Sequence, residues 1–196
     1  MKFLPSSLLP RFSAIALLLV VLELPATAQV PKSLLPPFGN DGAEFKIKAK
    51  DGHSTHGWLP KEWTDNSEWA PVNATYTKLP DSPDKDAAAV RIKVENVEDG
   101  QLQLTTFGGN DKYLKGGHYV VSGWVRSPDQ TPVKIGIRQI NGPYELYHEQ
   151  TLNSGTEWKP FEFAFTPTED RRAFVMFIIR KEGTVDLAGI TLTEKP

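Results

Sequence analysis

The chain has 196 residues, 39% of them hydrophobic, with a formal net charge of −2 and no cysteine. This length is sufficient for one domain with a sizeable core. The near-neutral charge argues against nucleic acid as the main partner, and the lack of cysteine excludes disulfides, zinc–thiolate sites and cysteine nucleophiles.

The first 28 residues are predicted to be a secretory signal peptide. A positively charged start is followed by an unbroken apolar run, AIALLLVVL at residues 14–22, which is too short to span a bilayer comfortably. Small residues at Ala26 and Ala28 suit a cleavage site, so we expect cleavage before Gln29 and a secreted or periplasmic protein that is not inserted in the membrane. An uncleaved membrane anchor is the alternative.

Residues 29–42 are rich in Pro and Gly and are predicted to form a tether or an entry arm. Beyond them, alternating apolar and polar residues predict strands and almost no helix. The predicted strands cover residues 44–50, 88–94, 101–106, 116–126, 133–139, 144–150, 161–165, 173–179 and 185–192. A long loop is expected at residues 51–85.

These strands predict an all-β fold. The run AFVMFII at residues 173–179 is apolar on both faces, which indicates a strand that is covered on both sides. Short strands separated by turn signals such as Asn141-Gly142 are typical of antiparallel sandwiches. We therefore expect an antiparallel two-sheet β-sandwich, a jelly roll, over residues 43–196.

Five short motifs follow one another in a characteristic order. They are AAVRI at 88–92, GQLQL at 100–104, LKGGHYVVSGWVR at 114–126, WKPFEF at 158–163 and GTVDLAGITL at 183–192. Their order resembles carbohydrate-binding modules of the family 4, 9 and 22 type, which are galactose-binding-like jelly rolls. The resemblance covers roughly residues 43–194. It implies sugar binding by aromatic and polar side chains on a concave sheet face or on the loops at its edge.

The resemblance also implies a structural calcium ion, which many members hold near the chain ends. The family's acidic position near the end of the last strand falls on Ala188 here, with Asp186 two places earlier. Glu44 matches the early acidic position only loosely. We expect no cofactor, and a structural calcium ion stays open as an alternative.

One face of the predicted strand at 116–126 carries an aromatic and polar row. Strand alternation places Ser122, Trp124 and Arg126 on one side. If the next strand pairs with this one, Gly136 lies beside Trp124 and leaves its ring uncovered for stacking on a sugar. The residues that share the outward side and would hydrogen-bond to hydroxyls are Arg126, Arg138, Gln101 and Gln103. The alternatives are a core position for Trp124 and solvated strand faces for the others.

Aromatic residues in predicted loops, or where a predicted loop meets a strand, are further candidates. Trp58, Trp63 and Trp69 lie within twelve positions and either form a binding rim or plug the open end of the sandwich. The resemblance favours a plug for Trp58, while both roles stay open for Trp63 and Trp69. Tyr144 is a candidate for the binding rim.

No catalytic signature accompanies these candidates. The sequence has no Gly-x-Ser-x-Gly elbow, no His-Glu-x-x-His and no phosphate loop, and the pair His53 and His56 lacks a third spaced ligand. The first hypothesis is a secreted, non-catalytic protein that binds a polysaccharide or oligosaccharide. The alternative is an envelope or periplasmic domain of the same fold that binds a protein partner and has no sugar site. A small hydrolase would need two carboxylates facing each other in a cleft.

Overall fold

The computed structural model describes residues 32–106 and 111–195. Within these ranges the chain forms two β-sheets and one 3₁₀ turn at Lys50–Gly52. The predicted signal peptide, residues 1–28, lies outside the described residues. No helix in the described part of the chain is long and apolar enough to cross a membrane.

Sheet 1 has seven strands within the described residues. They are β1 (Gly42–Lys48), β2 (Ser54–Pro60), β4 (Val72–Leu79), β5 (Ala89–Val97), β8 (His118–Arg126), β11 (Lys159–Phe165) and β13 (Gly183–Lys195). Their order across the sheet is β1-β2-β4-β5-β13-β8-β11. Neighbouring strands are antiparallel except β2 and β4, which are parallel.

Sheet 2 has six strands in the same described ranges. They are β3 (Trp63–Asp65), β6 (Leu102–Thr106), β7 (Lys112–Tyr113), β9 (Val133–Gln139), β10 (Leu146–Leu152) and β12 (Arg171–Ile179). Five of them follow the order β10-β9-β12-β6-β3, and the short β7 pairs with the start of β12. All of these pairs are antiparallel.

The hydrophobic core lies between the two sheets. Strand alternation turns Tyr119 and Val121 of β8 inward from sheet 1, and Val175 and Phe177 of β12 inward from sheet 2. Phe161 meets Phe177 edge to face, with ring centroids 6.0 Å apart. The predicted antiparallel β-sandwich is confirmed, and its inward rows are those that the sequence alternation indicates.

The opposite face of β12 is also buried. Phe174, Met176 and Ile178 form a separate apolar cluster with Ile140 and Leu146, outside the main core. The prediction that this strand is covered on both sides is therefore confirmed. Because β12 lies in the middle of sheet 2, its outward residues form the floor of that sheet's outer face.

The predicted long loop at residues 51–85 is wrong, because β2, β3 and β4 lie within it. Strand β2 turns Thr55, Gly57 and Leu59 inward, and two of these three carry little apolar side chain. Strand β3 has only three residues. Neither segment shows the apolar alternation from which a strand can be predicted.

The described part of the predicted arm packs onto the sandwich. Leu35 and Phe38 are buried in the core. The Leu34 amide donates to the Leu192 carbonyl at 2.7 Å, and the Phe38 carbonyl accepts from the Ala88 amide at 2.9 Å. Residues 32–41 are therefore part of the folded unit.

Candidate functional site

The outer face of sheet 2 carries a groove of about 760 Å³. Five of the eight residues predicted from the sequence as ligand-binding line it, namely Gln101, Gln103, Arg138, Trp69 and Tyr144. Strand alternation explains the first three, because β6, together with Gln101 directly before it, and β9 turn one side away from the core. The remaining lining residues include Asn66, Glu68, Leu146, Phe174 and Arg180.

Antiparallel pairing sets out the floor of the groove. Phe174 of β12 lies opposite Arg138 of β9, and Leu146 of β10 lies opposite the same arginine. Gly136 of β9 gives Leu146 its space, because a Cβ there would lie 2.7 Å from Leu146 Cδ2. On the other side of β12, Ile178 pairs with Gln103. The floor is thus apolar along its centre and polar on both sides.

The segment after β3 forms one wall around Trp69. The Trp69 side chain is 47% exposed. Its indole Nε1 donates to the Asn66 carbonyl at 3.0 Å, and Asn66 Nδ2 donates to Gln103 Oε1 at 2.8 Å. Gly100 lies against the ring, since a Cβ there would be 3.2 Å from Trp69 Cζ3. The exposed ring is therefore held in one position.

A buried polar cluster fixes this wall to the sheet. The Ser67 amide donates to Asp65 Oδ1 at 2.7 Å, and the Gln103 amide donates to Ser67 Oγ at 2.8 Å. The Tyr76 hydroxyl donates to Asp65 Oδ2 at 2.5 Å. Burial raises the pKa of Asp65, and burial together with the Asp65 charge raises the pKa of Tyr76. The cluster is structural, because all three side chains, Asp65, Ser67 and Tyr76, are buried.

The loop between β9 and β10 forms the other wall around Tyr144. The Tyr144 side chain is 54% exposed, and its backbone has a positive φ of 65°. The Arg138 guanidinium lies over its ring, 4.5 Å from the centroid. Burial lowers the pKa of Arg138. At one end of the groove, Arg180 Nε donates to Gln101 Oε1 at 2.8 Å.

This arrangement places exposed aromatic rings beside fixed hydrogen-bonding groups. The large hydrophobic side chains that stay exposed in the described part of the chain are Trp69, Leu114 and Tyr144, and two of these three line the groove. Aromatic faces stack on apolar C–H surfaces, and amides and guanidinium groups hydrogen-bond to hydroxyls. The groove can therefore hold an extended ligand that is apolar on its faces and polar at its edges.

Trp124 lies elsewhere, on the outer face of sheet 1. Strand β8 pairs with β13 and β11, so the lateral neighbours of Trp124 are Ala188 and Pro160. The expectation that Gly136 lies beside Trp124 is wrong, because β9 belongs to sheet 2. The chain changes sheets after β8, and strand alternation alone does not show which sheet a strand joins. Trp124 is half-buried rather than in the core.

Arg126 shares that outer face of sheet 1 and is engaged in ion pairs. Its Nε donates to Asp186 Oδ2 at 2.8 Å, and its Nη1 donates to Asp81 Oδ2 at 3.0 Å. The guanidinium also lies 4.4 Å from the centroid of the Trp158 ring. These contacts satisfy the charge within the protein.

Trp63 lies in the core instead of at the rim. Its side chain is 5% exposed, meets Phe38 edge to face at 4.9 Å, and donates from Nε1 to the Pro36 carbonyl at 3.3 Å. Trp58 also packs against the core, with Lys78 Nζ 4.7 Å from its ring centroid. Of the three early tryptophans, Trp69 is the one that lines the groove.

Several groove residues were not predicted from the sequence. Asn66 and Glu68 belong to the segment that was expected to be loop, and no residue pattern distinguishes them there. The sequence did indicate the position of Phe174 and Arg180. They occupy alternate positions of the chain together with Met176 and Ile178, which point outward from the doubly apolar strand. Extending that row would have placed both residues on the outer face.

The two acidic residues nearest to the positions implied by the resemblance, Glu44 and Asp186, lie far apart in sheet 1. Glu44 on β1 and Asp186 on β13 are four strands apart in sheet 1, about 19 Å at the usual strand spacing. Asp186 also accepts hydrogen bonds from Arg91 and Arg126 through both of its oxygens. In the described ranges no cluster of three or more His, Asp or Glu side chains is placed to hold a metal ion, and this includes His53 and His56.

The family model described as carbohydrate binding domain, of the CBM 4 and 9 type, matches residues 89–183. The predicted resemblance is thereby confirmed. The match runs from β5 to the start of β13 and includes Gln101, Gln103, Arg138 and Tyr144, whereas the Trp69 wall precedes it. A comparison with curated proteins gave no match.

Two solved structures, each with a TM-score of 0.52, share the fold at low sequence identity. A CBM4 module is 17% identical with a TM-score of 0.52, over 68% of this chain and 86% of that one. The enzymatically active domain of tailspike protein 4 from bacteriophage CBA120 is 14% identical with a TM-score of 0.52, over 69% of this chain and 20% of that one. The N-terminal cellulose-binding domain of Cellulomonas fimi β-1,4-glucanase C is 14% identical with a TM-score of 0.48, over 70% and 91%.

Proposed function

We propose that this chain, which matches the carbohydrate binding domain model of the CBM 4 and 9 type over residues 89–183, binds a polysaccharide in the groove of sheet 2. The observation that carries the proposal is the pair of exposed rings, Trp69 and Tyr144, in one groove. They come from opposite edges of sheet 2, since Trp69 follows β3 and Tyr144 precedes β10. An extended chain that crosses the groove can contact both rings.

The mechanism is stacking combined with hydrogen bonding. The ring of Trp69 and the face of the Tyr144 ring that Arg138 does not cover receive the C–H faces of pyranose rings. The side-chain amides of Gln101 and Asn66 exchange hydrogen bonds with the hydroxyls, whereas Gln103, which is 1% exposed, acts through its contact with Asn66. The Asn66–Gln103 hydrogen bond and the Asp65 cluster hold these groups in place before the ligand arrives, which lowers the entropy lost on binding. Desolvation of sugar hydroxyls keeps the affinity modest.

Binding without hydrolysis is part of the proposal. Glycosidases usually act through a pair of carboxylates about 5 to 10 Å apart. Among the described residues that line this groove, Glu68 is the single carboxylate. We also propose that the protein acts outside the cytoplasm, which the charged start and the apolar run at residues 14–22 support.

Affinity electrophoresis of the purified protein tests the proposal. Gels that contain xylan, β-glucan, mannan or pectin are compared with a gel without polysaccharide. We expect retardation in at least one gel, and Trp69→Ala or Tyr144→Ala to weaken the affinity roughly 30-fold, because truncating an anchoring aromatic costs about 2 kcal/mol. Leu114→Ala is the matched control, since Leu114 is 57% exposed and lies outside the groove.

Circular dichroism of each variant establishes that the fold is intact. If Trp124→Ala abolishes retardation while Trp69→Ala and Tyr144→Ala do not, the binding site lies on the outer face of sheet 1 instead. The absence of retardation in every gel contradicts the proposal and favours the alternative, an interaction domain with a protein partner.

A further inference from the structure

The arginines of this chain divide into two groups by their partners. Six arginines lie in the described ranges. Four of them form ion pairs with carboxylates: Arg91 with Asp186, Arg126 with Asp186 and Asp81, Arg171 with Glu169, and Arg172 with Asp111. The other two, Arg138 and Arg180, form no ion pair with any described residue, and both line the groove of sheet 2.

Arg138 is held where water alone does not fully solvate it. It lies between Leu146 and Phe174 in the register of sheet 2, and its guanidinium covers the Tyr144 ring. The Arg138 side chain is half-buried, and this burial lowers its pKa because the charged form loses solvation there. A partly desolvated cation gains most from an anion that arrives with a ligand.

Arg180 is exposed and is held by a neutral partner. Its Nε donates to Gln101 Oε1, and this bond leaves the rest of the guanidinium fork free for another acceptor. Glu68 is the acidic side chain on the groove lining, and it forms an ion pair with neither arginine. The described lining therefore carries two cations and one anion.

We propose that the ligand of this groove is an anionic polysaccharide, whose carboxylate or sulfate groups pair with Arg138 and Arg180. This inference rests on the proposed function and narrows its substrate class. A guanidinium presents two parallel N–H groups that match the two oxygens of a carboxylate or a sulfate. Neutral hydroxyls do not make this charge-assisted pair.

The two arginines meet different sugar residues of the chain. Arg138 lies opposite Phe174, and Arg180 is six residues further along the same chain segment, about 20 Å in an extended strand. One sugar ring cannot contact both positions. A polymer with repeated anionic groups can, so polymers bind and a free uronic acid competes poorly.

The test compares each acidic polymer with its own neutral form. Polygalacturonate, alginate and glucuronoxylan are measured against the same polymers after carboxyl reduction, and carrageenan is measured against its desulfated form. We expect carboxyl reduction or desulfation to weaken binding at least tenfold, as the loss of one charge-assisted bond predicts. Whichever modification has the effect identifies the carboxylate or the sulfate as the ligand group.

Three single variants locate the effect. Arg138→Gln and Arg180→Gln each weaken binding of the acidic polymer roughly tenfold. Arg172→Gln removes the same charge from an exposed arginine outside the groove, and we expect no change. Arg180 is exposed, so its substitution tests the idea even if Arg138→Gln unfolds the protein. Added salt weakens binding of the acidic polymer and spares the neutral one.

Two results overturn the inference while the proposed function stands. One is equal affinity for the acidic and the neutral forms of a polymer. The other is an equal loss for Arg172→Gln and the two groove variants, which would indicate a general charge effect. If no polysaccharide is bound, acidic or neutral, the proposed function itself fails.

Discussion

The outer faces of the two sheets carry similar side chains but differ in how many of their polar groups are already paired. On sheet 1, Arg126 meets Asp186 and Asp81 and covers the ring of Trp158. On sheet 2, Arg138 and Arg180 have no carboxylate partner among the described residues, and the rings beside them are exposed. An arginine beside an aromatic ring therefore indicates a binding surface only where the protein itself has not satisfied the charge.

Removing Asp186 gives the largest expected effect, and it should fall on stability. Asp186 is fully buried and accepts hydrogen bonds from Arg91 at 2.8 and 2.9 Å and from Arg126 at 2.8 Å. Asp186→Ala leaves two guanidinium groups without this partner. We expect the free energy of unfolding to fall by about 3 kcal/mol, measured by chemical denaturation.

The control for this change is Asp111→Ala, which breaks an exposed pair with Arg172. An exposed pair contributes less than about 1 kcal/mol, so this variant should stay close to the wild type. Under conditions in which the Asp186→Ala variant is folded, its affinity for the polysaccharide should equal that of the wild type. If it folds normally but loses sugar binding, the face of sheet 1 takes part in recognition and the contrast between the two faces fails.

A smaller effect is expected at Gly100, where the backbone positions the Trp69 ring. Gly100 has φ = 116°, and a Cβ there would lie 2.9 Å from Ala70 Cβ and 3.2 Å from Trp69 Cζ3. Gly100→Ala should lower the free energy of unfolding by about 1 kcal/mol and also displace the ring. We expect a several-fold weaker polysaccharide affinity together with a change in tryptophan fluorescence.

Gly116→Ala is the control that separates the loss of stability in Gly100→Ala from the displacement of the Trp69 ring. Gly116 also has a positive φ, 77°, but a Cβ there meets no atom within 4 Å. This variant should lose stability and keep its affinity. Equal affinity losses at Gly100 and Gly116 would mean that the Trp69 ring does not depend on the space beside it.

The sequence predicts the sandwich well because strand alternation is a local property. The inward rows of β8, β9, β11 and β12 follow directly from their apolar positions. The outward position of Gln101, Gln103 and Arg138 follows from the same alternation, and these residues line the groove. The doubly apolar pattern of β12 also identifies the centre of sheet 2.

The assignment of strands to sheets is not a local property. Arg126 on β8 pairs with Asp186 on β13, which lies 60 positions later in the chain. In both sheets, outward residues alternate with core residues in the same way. Alternation alone therefore could not show that Trp124 and Arg138 lie on different sheets. The burial of Trp63 depends likewise on Phe38 and Pro36, from a segment that its composition indicated to be a tether.

The smallest expected effect concerns a second buried carboxylate, Asp65. Unlike Asp186, it has neutral partners, Tyr76 and Ser67, and its burial raises its pKa. A carboxylate whose pKa is higher in the folded than in the unfolded protein binds its proton more tightly in the folded state. Its contribution to stability therefore grows as the pH falls through the folded pKa, and is lost as the pH rises again. The unfolding free energy of the wild type relative to Asp65→Asn should increase as the pH is lowered from neutral towards the ordinary aspartate pKa.

Asp81 is the control, because its pKa is shifted in the opposite direction and its contribution to stability should change with pH in the opposite sense. Slight burial works against ionisation there, but the hydrogen bond and the charge of Arg126 outweigh it and hold the pKa of Asp81 below its usual value. The wild type should therefore lose stability relative to Asp81→Asn as the pH falls through that lowered pKa. Denaturant unfolding of the three proteins from neutral pH to below the ordinary aspartate pKa measures both slopes. Slopes of the same sign would show that the carboxylate beneath the groove wall is as well compensated as Asp81, which Arg126 pairs beside sheet 1. The contrast between the two faces would then be limited to their arginines.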